Sequence, residues 1–85
     1  MFRAILRQHY HLPDVDLLVL EEGYRGDAGP GDQLQVELPG GGTQVFQVHD
    51  LAWGSALNAS NPPLTLIVKG LGEVEPVAGA EITRA

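Results

Sequence analysis

Fourteen consecutive residues constrain this chain more than any others: Gly29-Pro30-Gly31-Asp32-Gln33-Leu34-Gln35-Val36-Glu37-Leu38-Pro39-Gly40-Gly41-Gly42. They spell a tight turn, a strictly alternating strand and a second glycine-rich turn. Pro30 and Gly31 occupy the second and third places of a type II turn, where the third residue needs a positive φ that glycine adopts at little cost. Leu34, Val36 and Leu38 then fall on one face, with Gln33, Gln35 and Glu37 on the other. A strand with one apolar and one wet face belongs to an antiparallel sheet, the building unit of a small sandwich or barrel.

The rest of the chain reads as further short strands. Phe2, Ala4 and Leu6 alternate with Arg3, Ile5 and Arg7, which predicts a first strand running to about His9. A loop over His11–Asp16 follows, with Pro13 opposing strand pairing there. Leu17-Leu18-Val19-Leu20 is an apolar run of strand length. Gly23, in Glu21-Glu22-Gly23-Tyr24, suggests a bulge or a close backbone approach. Thr43–His49 should return from the Gly40–Gly42 tip as a hairpin partner, with Phe46 and Val48 on the core face. Asp50-Leu51-Ala52-Trp53 would continue it past a bulge. Gly54–Pro63 is a Ser/Asn/Pro-rich loop, with room for one helical turn at Ser55–Leu57. Leu64–Lys69 is the most hydrophobic strand, and Ala80–Thr83 the last. The turns Gly29-Pro30-Gly31-Asp32 and Pro76-Val77-Ala78-Gly79 are loosely alike but form no repeat of fixed period. Leu34, Val36, Phe46, Val48, Leu66 and Val68 are the expected core. Six to seven short strands in one 85-residue domain (1–85) predict an all-β fold, a small closed or nearly closed antiparallel barrel. Closure removes exposed edges.

Composition narrows the function classes. Five Lys and Arg against eleven Asp and Glu leave a net charge of −6, and the cations are scattered, so a phosphate-binding stripe is missing. The absence of cysteine removes disulfides, thiolate metal sites and thiol nucleophiles together. Arg7 interrupts any signal-peptide-like apolar stretch, and no apolar run is long enough to span a membrane, so the expected location is the cytoplasm. One lysine against four arginines, with many Gly and Ala, hints at a GC-rich bacterial genome.

The order of elements then becomes informative. Leu18-Val19-Leu20-Glu21-Glu22-Gly23-Tyr24 leads through Gly26 to Pro30-Gly31-Asp32-Gln33-Leu34-Gln35-Val36. Thr43–Trp53 follows, then Leu64-Thr65-Leu66-Ile67-Val68-Lys69-Gly70-Leu71, and finally Glu73–Ile82 with Gly79 just before the last strand. This succession resembles the second, β-barrel domain of translational GTPases such as elongation factor Tu, over almost the whole chain. The resemblance implies that barrel fold and contacts with components of translation. Two departures stand beside it. No Gly-x-x-x-x-Gly-Lys-Ser/Thr loop exists, so no nucleotide is expected. The His11–Asp16 loop is also shorter than the family's glycine-rich turn.

No catalytic constellation emerges. Gly-x-Ser-x-Gly is absent, and Asp14/Asp16 and Glu21/Glu22 read as solvated charges. The expected function is therefore a non-enzymatic binding module acting through protein–protein contacts, without cofactor. Autonomous nucleic-acid binding and membrane insertion are not expected. The expected contact surface is Trp53 with Ser55, Asn58 and Asn61 of the following loop, joined by Tyr24, since polar-tipped aromatics are enriched at interfaces; the alternative for Trp53 is a plug at the core end of the barrel. Two alternatives are a metal- or small-ligand-binding protein using His9, His11 and His49, and a structural subunit of an assembly.

Overall fold

The computed structural model describes residues 2–53 and 64–85, with the backbone alone at position 53. The strands are β1 (Arg3–His11), β2 (Asp16–Leu20), β3 (Gln33–Glu37), β4 (Thr43–Trp53), β5 (Leu64–Lys69) and β6 (Glu81–Arg84). Every pairing is antiparallel, and the order β1-β2-β5-β4-β3-β6 closes on itself as a six-stranded barrel. The expected all-β closed barrel is thus the observed fold. Its interior is filled by one apolar cluster that includes Phe2, Leu6, Leu18, Leu34, Phe46, Leu66, Leu71 and Ile82. All six expected core residues are buried.

Local chemistry explains most of the elements. In the Gly29–Asp32 turn, Asp32 N–H donates to the Gly29 carbonyl (3.1 Å), the Gly29 N–H donates to Asp32 Oδ2 (2.9 Å), and Gly31 has φ 94°. Gly23 departs from expectation. It has φ 88° with open space where a Cβ would stand, so it serves a turn rather than a bulge or close approach. The chain leaves β2 there to let Arg25 bridge to Arg3 through two backbone hydrogen bonds of 2.8 and 2.9 Å. The first hairpin is also tighter than the sequence suggests. His11 pairs with Asp16, and only Leu12–Val15 forms the loop, closed by Leu12 N–H to the Val15 carbonyl at 2.9 Å.

Two long strands, β1 and β4, shape the barrel. Each pairs with one neighbour over its first half and another over its second. β1 passes from β6 to β2, and β4 passes from β3 to β5. Each changes register at a bulge. Leu6 pairs with Leu20 but Gln8 with Val19, so Arg7 is the extra residue. Val48 pairs with Val68 but Asp50 with Ile67, so His49 is the extra residue, a bulge at the place the sequence suggested. A bulge bends the strand and reverses which alternate residues face inward.

These registers repeat. Residues of β1 map onto β4 at an offset of 42 (Leu6 to Val48, His9 to Leu51), and β2 maps onto β5 at 48 (Asp16 to Leu64, Leu18 to Leu66). β3 maps onto β6 at the same 48 (Leu34 to Ile82). The turn hydrogen bonds repeat too. Gly31 N–H donates to Val48 O and Val48 N–H to Asp32 O; likewise Gly79 N–H donates to Leu6 O and Leu6 N–H to Ala80 O. The barrel is a pair of β-β-β halves related by a pseudo-twofold, which passes through the Leu18–Leu66 and Gln35–Thr83 pairs. The similarity between the two turns thus belongs to a structural repeat. No constant period marks it because four residues separate β1 from β2 and ten separate β4 from β5.

Candidate functional site

The pseudo-twofold makes the two ends of the barrel comparable, and they differ in chemistry. Past the Arg7 bulge the inward positions of β1 become His9 and His11, not Gln8 and Tyr10. They stand opposite Leu18 and Asp16 of β2. Asp16 is 6% exposed and is the buried charged residue among those described. Its Oδ1 accepts hydrogen bonds from His9 Nε2 (3.0 Å) and His11 Nδ1 (2.8 Å). A carboxylate oxygen accepts, so each of these ring nitrogens is the donor. The His9 ring is nearly covered, with 9% of its side chain exposed, whereas the His11 ring is 69% exposed. His9 and Asp16 correspond in the other half to Leu51, packed against the core, and Leu64, 3% exposed, and His11 corresponds to position 53. Where one half has Leu51 and Leu64, the other therefore holds a carboxylate between two imidazoles.

Two clefts open beside this cluster. One, of about 200 Å³, is lined by His9, His11, Glu73 and Glu75. The other is broader and lies along the Leu12–Val15 loop, with Asp14 and Lys69 on its walls. Asp16 was expected to be a solvated charge. The hairpin register overturns that, because a four-residue loop places it across from His11 and the alternation of β2 turns it inward with Leu18 and Leu20. A His-x-His strand followed by a Pro-containing loop and an aspartate was the available signal. The sequence obscures it, because Pro13 marks a loop without marking where strand pairing resumes.

The three-histidine arrangement is not assembled. β2 and β5 lie between β1 and β4, so His49 stands exposed at its own bulge, away from the strand that carries His9 and His11. Among the described residues, no three His, Asp or Glu side chains are arranged to hold a metal.

Of the expected contact residues, Ser55, Asn58 and Asn61 lie outside the described residues, as does the helical turn considered at Ser55–Leu57. For Trp53 the backbone pairs with Leu64. Tyr24 is half-buried and packs against the core, beside a cleft of about 340 Å³ that also includes Arg3, Glu22 and Arg25. Arg3 is ion-paired to Glu81 at 2.7 Å.

The outside of the barrel carries a feature that the sequence reading did not single out. Tyr10 of β1 stands opposite Leu17 of β2, which stands opposite Ile67 of β5. The bulge at Arg7 puts Tyr10 on the outer face, where it is 45% exposed, and Leu12 at the adjoining loop is 41% exposed. Leu17 and Ile67 are half-buried. An apolar row thus crosses three strands on the solvent side. No helix among the described residues is long and apolar enough to cross a membrane. No family model, no curated protein and no solved structure matches this chain.

Proposed function

We propose that this chain is a non-enzymatic binding module acting through protein–protein contacts. A component of translation is the partner implied by its resemblance to the translational GTPase barrel. The observation that carries the reading is the outer row Tyr10–Leu17–Ile67, extended by Leu12. Contiguous apolar surface of this kind marks interaction sites, because its exposure gains nothing in an isolated soluble domain. The interior supports the same reading, since side chains such as Phe2, Phe46 and Leu66 fill it and leave little room for a substrate. Trp53, Ser55, Asn58, Asn61 and Tyr24 form the second part of the proposed surface. An acidic chain with dispersed cations suits a protein partner better than a phosphate backbone.

The test is a tagged pull-down from native cytoplasm, with and without ribonuclease, using wild type, Tyr10→Ser and Trp53→Ala. Recovery of ribosomal proteins or a GTPase, reduced several-fold by Tyr10→Ser, is the expected result. A single ribonuclease-insensitive partner from outside translation would retain the module and discard the translational link. Equal recovery by wild type and both variants would overturn the proposed surface.

A further inference from the structure

We infer that the two halves of the barrel recognise each other independently of the tip that joins them, so that this chain takes a second copy of itself as a partner by exchanging halves. Within the first half only β1 and β2 pair, and within the second only β4 and β5. The other pairings cross between the halves: β1 with β6, β2 with β5, β3 with β4 and β3 with β6. The third strand of each half therefore pairs with the opposite half alone. Leu34 and Val36 of β3 and Ile82 of β6 are fully buried, and a half by itself has no strand to lay beside them. Hydrogen bonds from the turns follow the same rule, since Gly31 and Asp32 bond to Val48 while Gly79 and Ala80 bond to Leu6. Each half is thus a hairpin with an open-edged arm, and what covers those edges is the other hairpin and its arm.

The covalent link between the halves is the tip from Leu38 to Gly42, between β3 and β4. It is held by Leu38 N–H donating to the Gly42 carbonyl (3.1 Å) and Gly41 N–H donating to the Leu38 carbonyl (3.0 Å). Gly41 and Gly42 make the reversal with φ of 93° and 78°, and open space stands where a Cβ would be at Gly40, Gly41 and Gly42. Straightening the tip gives up these local bonds and none of the pairings that close the barrel, provided a second chain supplies the opposite half. Fully extended, the tip spans up to about 17 Å between two exchanged barrels. In the intact chain the short tip keeps the second half at a high effective concentration, so closure within one chain wins when the protein is dilute. The outer row Tyr10–Leu17–Ile67 is unchanged in each exchanged barrel, so this self-association is separate from the proposed contact surface.

Two experiments on otherwise complete chains test the exchange. Deleting Gly40-Gly41-Gly42 leaves Leu38-Pro39 to reverse the chain between Glu37 and Thr43. The favoured two-residue hairpin loops need a positive φ at their first residue, which leucine resists. The shortened chain should therefore have the mass of a dimer in size-exclusion chromatography with light scattering, while keeping the circular dichroism of the barrel. A folded monomer, or an unfolded chain, overturns the proposal. The second experiment mixes Leu18→Asp with Leu66→Asp, at positions that are paired and fully buried. Each variant alone places an unpaired carboxylate in the apolar core and should lose the dispersed amide NMR spectrum of wild type. After exchange, one barrel carries both lesions and the other carries neither. An equimolar mixture should therefore regain the wild-type spectrum, with one native barrel for every two chains. A mixture whose spectrum is only the sum of the separate variants sinks the proposal.

Discussion

Asp16 shows how a single residue changes character with its surroundings. In the chain it stands one place from an apolar run, and in the barrel it is 6% exposed with two imidazole donors on one oxygen. Truncation to Ala leaves the covered His9 ring without its acceptor, which should cost about 1–3 kcal/mol. Urea denaturation measures it. Replacing His9 and Asp16 together by Leu copies the chemistry of Leu51 and Leu64 and removes donor and acceptor at once. That double variant should be as stable as wild type or more so, because apolar replacement of a buried polar pair is often neutral or stabilising. A double variant less stable than Asp16→Ala would show that the two ends differ in shape as well as in polarity. The residue-level lesson is that His9 and His11 were recognisable as chemistry from the sequence, but their partner was not. Its burial depends on a register that no single residue encodes.

At the scale of elements, the Arg7 bulge does the sorting. With the extra residue, Leu6 and then His9 and His11 face inward, while Tyr10 joins Leu17 on the outside. Deleting Arg7 would leave Leu6, Gln8 and His9 opposite Leu20, Val19 and Leu18 with no residue to spare, so the bulge disappears while His9 and His11 keep their face. The deletion variant should therefore keep a cooperative unfolding transition, as followed by circular dichroism. Arg7→Ala keeps the residue count and should stay within about 0.5 kcal/mol of wild type, as exposed substitutions do. A deletion variant that fails to fold would mean that the barrel needs the bend the bulge puts into β1. The alternating strands β3 and β4 were legible because turn chemistry and apolar periodicity agree within each. The β4 bulge was legible because apolar alternation restarts at Leu51. The β1 bulge was hidden because polar residues occupy both faces beyond it.

For the whole molecule, the pseudo-twofold passes through the apolar core. Leu18 and Leu66 are directly paired there, and both are fully buried. Either Leu→Ala change should cost about 2–5 kcal/mol. That is a large share of what a small domain has, since total stability is typically about 5–15 kcal/mol. The two positions share neighbours, so the double variant should depart from additivity by at least about 0.5 kcal/mol in denaturant unfolding. Strict additivity would show that the halves pack independently at the axis.

What the sequence determined by itself was local. Glycines at positive-φ turns, alternation of apolar residues and the absence of long helical stretches sufficed for an all-β closed barrel with the correct core, because each signal acts within a few residues. Only the tertiary structure decided the strand order, the twofold relation of the halves and the burial of Asp16 between His9 and His11. Those depend on which strands pair and in what register, a choice made by closing loops of unequal length around one shared core.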